Sequence, residues 1–348
     1  MALLAYSDLV TTKSFSDYVF SETAKRAVFL SSGAAFMDPA LESFLRGAGE
    51  SLTRRYLTAP TNASNVSTSS TSAVTPAKPG SNAQAIFRLT RNEAISEAAI
   101  VAEYVDGALD VLGDCIGEYW GQELDRLILQ AMTGVFADNA AAPSGSDTHT
   151  QNDMTYDASV LNSGVFSNGV TNLTLEGLNT ASALMGENAD KLALAIMHPN
   201  VLARLKNLGL ATSREILTAR VRSDGTPVRK LEWSILNGPR VISSRLMPVT
   251  SNVYESWFFA EGSVGVGIVP GKVRPDVIGF NDDQGTGGGV ATYYSRRSIA
   301  IAPVGTSYIG TSGDGGPSDA NLAAAGSWSR TTNEREKVPM MRYRTREA

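Results

Sequence analysis

Cysteine and histidine are scarce in this chain and long apolar runs are missing, and each absence removes a class of protein. A single cysteine, Cys115, permits no intrachain disulfide framework and no multi-cysteine metal site. The chain therefore reads as one that folds in a reducing cytoplasm. Cys115 lies within a helical pattern and reads as a small buried hydrophobe. The two histidines, His149 and His198, are far apart in sequence, and no His/Cys/Glu cluster has metal-ligand spacing. His149 falls in a polar loop and is expected to be solvated. His198 follows an apolar strand and precedes Pro199, where a local hydrogen-bonded role is expected. No apolar run approaches the roughly 18–20 residues of a membrane span, and MALLAYSDLVTTKSFSDYVF (1–20) lacks the charged start and apolar core of a signal peptide. Charge gives no basic excess: 30 Lys and Arg against 35 Asp and Glu leave −5, so no global field recruits nucleic acid.

Catalytic motifs are missing too. GKVRP (271–275) has Val266 where a phosphate loop needs glycine and Val273 where it needs Ser or Thr. GSVGVG (262–267) has the wrong glycine order for a dinucleotide fingerprint. GTSYIG (305–310) has Ile309 in place of the last glycine of a nucleophile elbow. Asn62, Asn65 and Asn172 begin glycosylation sequons, which mean nothing without secretion. Asp282-Asp283 is an acidic pair in a glycine-rich loop and reads as solvated, ahead of one weak cation site. The expectation is that the chain is not an enzyme and has no catalytic, cofactor-binding or metal site.

What is present is extension. Val105, just before 106–136, and Leu109, Leu112, Ile116, Trp120, Leu124, Leu127, Ala131 and Val135 within it recur at steps of three or four, one apolar stripe on a rod of about 40 Å, with Asp106 as its N-cap. Gly113, Gly117 and Gly121 share one side of it. Each costs about 1 kcal/mol relative to Ala, which favours close approach by another segment, or a bend, over drift. Before the rod lies TAPTNASNVSTSSTSAVTPAKPGSN (58–82), too polar to pack a core and interrupted by Pro60, Pro76 and Pro79. It reads as a long two-stranded excursion returning through QAIFRLTR (84–91). Residues 1–20 read as an extended arm. SETAKRAVFLSSG (21–33) reads as a helix from Ser21 to Gly33, Asp38-Pro39 opens a short helix, and NEAISEAAIVAEYV (92–105) reads as helical.

From 173 a second region begins. It predicts a helix over 173–193, a buried strand at 192–199, an amphipathic helix at 200–210, and strands at 232–238, 239–248, 254–262, 263–270, 273–280 and 291–303 in an antiparallel pattern. The tail from about 311 is Gly/Ser/Asp-rich and then basic, with Arg330, Arg335, Lys337, Arg342, Arg344 and Arg346. It reads equally as a solvated terminus or an ordered surface strand. With 348 residues and 43% hydrophobic content, the chain can build a real core of α+β class.

The order of these segments resembles the major capsid proteins of tailed bacteriophages, the Hong Kong 97 fold family. SDYVFSETAKRAVFLSSG (16–33) is similar to the family's N-terminal segment. DGALDVLGDCIGEYWGQELDRLILQAMTGVFADN (106–139) is similar to its long helix, with the Tyr119-Trp120 pair before a Gln/Glu-rich turn and Gly107 where Pro is usual. IMHPNVLARLKNLGL (196–210) resembles its Met-His-x-x-Val strand-helix unit, LNGPRVISSRLMP (236–248) its Gly-x-x-Val-Ile strand, and ESWFFAEGSVGVG (255–267) its aromatic-to-Gly stretch, with Ser263 where Ala is usual. The resemblance implies an N-terminal arm and short helices (1–57), an E-loop hairpin (58–91), a peripheral domain with the spine helix (92–172), an axial domain (173–253), return strands (254–310) and a C-terminal tail (311–348). It implies hexamers and pentamers closing into an icosahedral shell around double-stranded DNA, assembled in a bacterial cytoplasm. Scaffolding, portal and decoration proteins would be partners, and the DNA would be held by non-specific contact. Any scaffold would be a separate chain, no membrane would be involved, and Lys13, Lys25 and Arg26 would face the lumen.

The physical reading agrees: a polar arm without a core can be ordered by strand addition to a neighbour. Three alternatives stand beside it. An encapsulin-type nanocompartment shell would enclose protein cargo, a soluble α+β enzyme would carry no legible motif, and a tail or baseplate component would have little use for so long a helix.

Overall fold

In a computed structural model of the chain, the structure describes residues 23, 27–58, 80–98, 108–143, 147, 149–221, 227–235, 238–271, 276–281, 290–332 and 334–347. The arm at 1–20, Ser21, Lys25, Arg26, Pro60, Pro76, Pro79, the sequons at Asn62 and Asn65, Asp106, most of the Gly271–Pro275 motif and Asp282-Asp283 lie outside the described residues.

The described elements begin with a short helix, α1 (Val28–Ser31), a strand, β1 (Ala35–Met37), and α2 (Pro39–Arg46). Ala27 is extended (φ −65°, ψ 121°), so the helix expected over 21–33 is not continuous, although Gly33 ends it with φ +79°. Asp38 caps α2 as its sequence suggests: its carboxylate accepts from Ala40 N at 2.9 Å and Pro39 occupies the first turn. The hairpin follows as β2 (Ser51–Thr58) and β3 (Gly80–Ala98). β3 corrects the helix expected over 92–105 in its described part, 92–98, while 99–105 lie outside the described residues. Its residues 88–98 pair antiparallel with 290–300, and this long ladder overrides the helical preference of an Ala- and Glu-rich segment.

The long helix, α3 (Ala108–Ala140), is 33 residues, about 50 Å at 1.5 Å per residue. Ile116, Trp120, Leu124, Leu127, Ala131 and Val135 are all buried along it, as the stripe predicts, and Gly117 and Gly121 are buried as well. Cys115 is exposed, not buried as expected, because it stands about 100° around the helix from the stripe residue Ile116.

After α3 come β4 (Thr155–Asp157), α4 (Leu175–Ala183), β5 (Leu192–Met197), α5 (Pro199–Asn207), β6 (Ala211–Val221), β7 (Pro227–Ile235), β8 (Arg240–Ser243) and β9 (Val249–Thr250). The single helix expected over 173–193 is therefore cut. It stops at Ala183, passes through a 3-10 turn at Gly186–Lys191 and continues as β5. Gly186 adopts φ +53° at that break, and a Cβ there would meet Glu336 Cγ at 2.9 Å. The chain ends with β10 (Val253–Ala260), β11 (Val264–Pro270), β12 (Asp276–Asn281), β13 (Val290–Pro303), β14 (Thr306–Tyr308), α6 (Asp319–Ala323), β15 (Trp328–Arg330) and β16 (Met340–Arg346).

β14 pairs with β15 in a small sheet of their own, and two large sheets organise the other strands. One runs β1-β11-β13-β3-β2, with β12 also on β13; the other runs β4-β16-β10-β5-β8-β7-β6, with β9 on β10. Pairing is mostly antiparallel, as expected, but β1 with β11, β5 with β8 and β16 with β4 are parallel. The consecutive strands β10 and β11 do not pair; the turn at Gly262 (φ +69°) carries the chain from one sheet to the other.

Strand alternation explains why α3 sits between the sheets. On β10, Trp257 and Phe259 join the core around α3, while Phe258 and Ala260 join a second core with Leu178 of α4 and Leu205 of α5. On β13, Ile299 and Ile301 face the α3 core, while Ala300 and Ala302 pack with Leu41 and Leu45 of α2. β10 and β11 are covered on both faces, so they read as near-continuous apolar runs.

β16 overturns the expectation of a solvated or surface tail. It lies between β4 and β10 with Met340, Met341 and Tyr343 buried. Its arginines are paired: Arg342 Nη1 with Glu255 Oε1 at 3.3 Å and Arg344 Nη1 with Asp157 Oδ2 at 2.7 Å.

Candidate functional site

A dense polar arrangement lies where α3 ends. Asn139, buried in its last turn, donates to Asp153 Oδ1 at 2.6 Å and accepts from Met154 N at 3.1 Å. Arg330 reaches Asp153 from β15 at 3.0 Å, with its side chain 1% exposed. Arg335 donates to the carbonyls of Asp153, Val338 and Met340, and its burial brings its guanidinium down to about 10 while Asp153 opposes this. These bonds hold the helix end, the following loop and the C-terminal strands in one unit.

Beside them stand Asp138, Asp147 and His149. His149 is buried, not solvated as expected; its Nδ1 lies 2.8 Å from Asp147 Oδ1, and Asp147 Oδ2 accepts from Arg330 N at 3.1 Å. Burial raises Asp138 to about 7, and the Asp147 charge adds to this, while His149 and Arg330 pull it back. Burial acts upward on Asp147 as well, but hydrogen bonds from the His149 ring and from the Arg330 and His149 amides hold it below the usual carboxylate range. Among the described residues, these three form the group whose donor atoms lie close enough to share an ion. Sequence reasoning missed them because one comes from a helix end and two from a loop, with no motif spacing to join them.

Neither histidine is placed for nucleophilic catalysis. Among the described residues His149 Nε2 has no hydrogen-bond partner, so it engages no hydroxyl or thiol there. His198 has the local role expected: it caps α5, its Nδ1 accepting from Asn200 N at 3.3 Å. GSVGVG lies mostly in β11 and GTSYIG in β14, so neither makes a loop that cradles phosphate or lifts a nucleophile.

A second polar anchor ties the N-terminal segment to α3. Asp125, part-buried on α3, accepts from Val28 N at 2.8 Å and Phe29 N at 3.2 Å, capping α1 from a distance. Burial pushes its carboxyl up to about 6 from 3.8, and the two amides and Arg240 oppose the shift. The folded chain therefore holds this proton more tightly than the unfolded chain does. The stability it contributes is complete below about pH 4 and is lost as pH rises through about 6. At 1.36 kcal/mol per pH unit this is about 3 kcal/mol. Asp125→Asn removes the titration. The stability of the variant minus that of the native chain, measured by urea unfolding, should rise by about 2–3 kcal/mol between pH 4 and pH 7, and a difference constant with pH would refute the assignment.

The surface offers two further features. The hairpin of β2 and β3 pairs Ser51–Thr58 with Gly80–Phe87, and its base is fastened by Tyr56 and Asn82 to Thr331 and by Gln84 Nε2 to Pro303 O at 2.9 Å. Exposed apolar side chains gather in one stretch: Val160, Leu161, Val165, Phe166, Val170 and Leu175.

No family model matches the chain. Over 360 aligned residues it is 22% identical to the major capsid protein of Bacillus phage SPP1, covering 99% of both chains. Solved structures similar to it include that of Mycobacterium phage Bobi (13% identity, 100% of this chain and 96% of that one, TM-score 0.48) and the capsid of Ralstonia phage GP4 (10% identity, 78% and 82%, TM-score 0.49). The relative matched along the whole length of both chains is a phage major capsid protein, the class that the order of segments suggests, and the chain's mixed helices and sheets are of the α+β class expected.

Proposed function

We propose that this chain is the repeating subunit of an icosahedral phage head. Copies associate as hexamers and pentamers, and the closed shell encloses double-stranded DNA. The observation that carries this reading is the match to a major capsid protein from end to end. The arrangement supports it: a hairpin and a cluster of exposed apolar residues are poor assets for an isolated monomer and suit contacts between copies. In this reading 58–91 is the E-loop, α3 the spine of a peripheral domain, and 173–253 most of an axial domain. Its role is structural and not enzymatic. Scaffolding, portal and decoration proteins are its assembly partners in the bacterial cytoplasm, and its final location is the virion. A nanocompartment shell around protein cargo is not favoured, since the relative matched over the full length is a phage protein.

Light scattering and electron microscopy of the chain, expressed alone and with a scaffold candidate, test this. Shells, tubes or rings of five or six subunits are expected, and a monodisperse monomer under both conditions would refute the proposal. Deleting residues 60–78 should leave a folded subunit, because the described anchors of β2 and β3 remain, yet abolish closed shells. Unaltered shells from the deletion variant would remove the hairpin from the assembly mechanism.

A further inference from the structure

We propose that the stretch 160–175 of one copy docks into the groove formed by β6, β7 and the start of β8 on the next copy, so that subunits join head to tail. The inference rests on the shell reading and names the two surfaces through which its rings close.

The docking face is the apolar stretch. Val160, Leu161, Val165, Phe166, Val170 and Leu175 are exposed, Val160 and Val165 at 63% each. Together they offer about 500 Å² of apolar surface, as much as the largest patch on a typical monomer and most of the roughly 800 Å² that each partner gives to a specific interface. From residue 158 to residue 175 there is no Asp, Glu, Lys or Arg, in a chain that is 19% charged. Loss of charge marks the core of a protein interface, and it argues against nucleic acid as the occupant, since phosphates are held by basic side chains. The display is also rigid. Asn162 and Ser163 stand at φ +52° and +57°, left-handed values that strain a residue with a Cβ. Asn162 O accepts from Val165 N at 3.1 Å, Gly169 N donates to Asn172 Oδ1 at 2.8 Å, and Thr171 O accepts from Arg346 N of β16 at 2.8 Å. A surface held in one shape loses little entropy on docking.

The receiving surface is at the far end of the same sheet. The stretch follows directly from edge strand β4, and β16, β10, β5 and β8 separate β4 from β7 and the other edge strand, β6. There Thr212, Ser213, Trp233, Ser234, Gly238 and Arg240 line a groove of about 420 Å³. Its polar groups are already paired, Arg240 Nη2 with Glu232 Oε1 at 2.6 Å and Thr212 Oγ1 with Ser234 Oγ at 2.8 Å. An apolar occupant therefore leaves none of these groups without a partner. Trp233 supplies an aromatic anchor of the kind on which binding energy concentrates. A patch that met its own counterpart would make pairs only. Two different patches at opposite ends of one sheet make a head-to-tail contact, which can close into a ring.

The test uses the full chain, alone and with a scaffold candidate. Phe166→Asp changes an exposed side chain, so its urea unfolding should match that of the native chain. Light scattering should show its yield of rings and shells lowered by tenfold or more. Ser213→Lys, which places the opposite charge on the groove, should restore part of that yield when added to Phe166→Asp. A cysteine pair, Phe166→Cys with Ser213→Cys in a Cys115→Ser background, should link copies on mild oxidation into sets of up to five or six on a non-reducing gel, with neither cysteine sufficient alone. Native yields from folded Phe166→Asp, or assembled particles of the cysteine pair that do not link, would overturn the docking and leave the shell reading intact. A native chain that assembles under neither condition would overturn both.

Discussion

Replacing Gly134 with Ala is expected to destabilise the subunit by about 2–4 kcal/mol, the reverse of what the same change does in most helices. In an exposed helix interior, Ala is better than Gly by about 1 kcal/mol. Here a Cβ would stand 2.1 Å from Leu322 O, 2.4 Å from Trp328 Nε1 and 2.6 Å from Trp328 Cδ1. Those atoms are themselves joined, Trp328 Nε1 donating to Leu322 O at 2.7 Å. The hydrogen bond crosses directly over the bare Cα of Gly134, and one added methyl must displace either the indole or α6. Overpacking costs about 1–3 kcal/mol, and the disturbed buried hydrogen bond adds about 1–3 kcal/mol. Trp328 cannot yield easily, because Tyr308 packs edge-on against it with ring centroids 5.3 Å apart. Urea unfolding of Gly134→Ala checks the sign. Trp328→Leu removes the obstacle, so the double variant should be less damaged than the sum of its parts by about 1 kcal/mol or more. A Gly134→Ala subunit at least as stable as the native chain would refute the account.

Gly134 also shows where sequence reasoning stops. The stripe from Ile116 to Val135 is legible because burial on one helix face repeats at a fixed local period, and β10 and β13 are legible as apolar runs because both of their faces are covered. The three glycines that draw attention by their spacing are Gly113, Gly117 and Gly121, yet Gly134 is tight against a carbonyl and an indole from the far end of the chain. Segment 92–98 looks helical because Ala and Glu dominate it, and only its pairing with β13 makes it a strand. The tail reads as a solvated terminus or a surface strand because it is rich in arginine, and only the fold shows that Asp153, Asp157 and Glu255 await those charges. The Asp138, Asp147 and His149 group fails to appear for the same reason: local composition records what a segment prefers, not what another segment supplies.

The other large effect is expected at Arg297, the partner of Asp276 in a wholly interior ion pair. Both side chains are 0% exposed, with Arg297 Nη1 2.8 Å from Asp276 Oδ1. Ser295 Oγ donates to the same carboxylate oxygen at 2.9 Å and accepts from Trp120 Nε1 at 2.9 Å. The guanidinium carbon lies 5.6 Å from the centre of the Trp120 ring. The pair thus fixes α3 against β13 at one register, in the middle of the largest core. Arg297→Met leaves the Asp276 charge buried and unopposed and should cost about 3–5 kcal/mol. Removing both charges, as Arg297→Met with Asp276→Leu, should restore stability to within about 1 kcal/mol of the native chain, because the pair gains little net energy over a well-packed apolar substitute. The two outcomes separate stability from specificity. If the double variant is stable yet forms aberrant particles, the ion pair serves to hold the spine helix in one position against the sheet. If the double variant is as unstable as Arg297→Met alone, the pair is a source of stability in its own right, and the argument from desolvation fails.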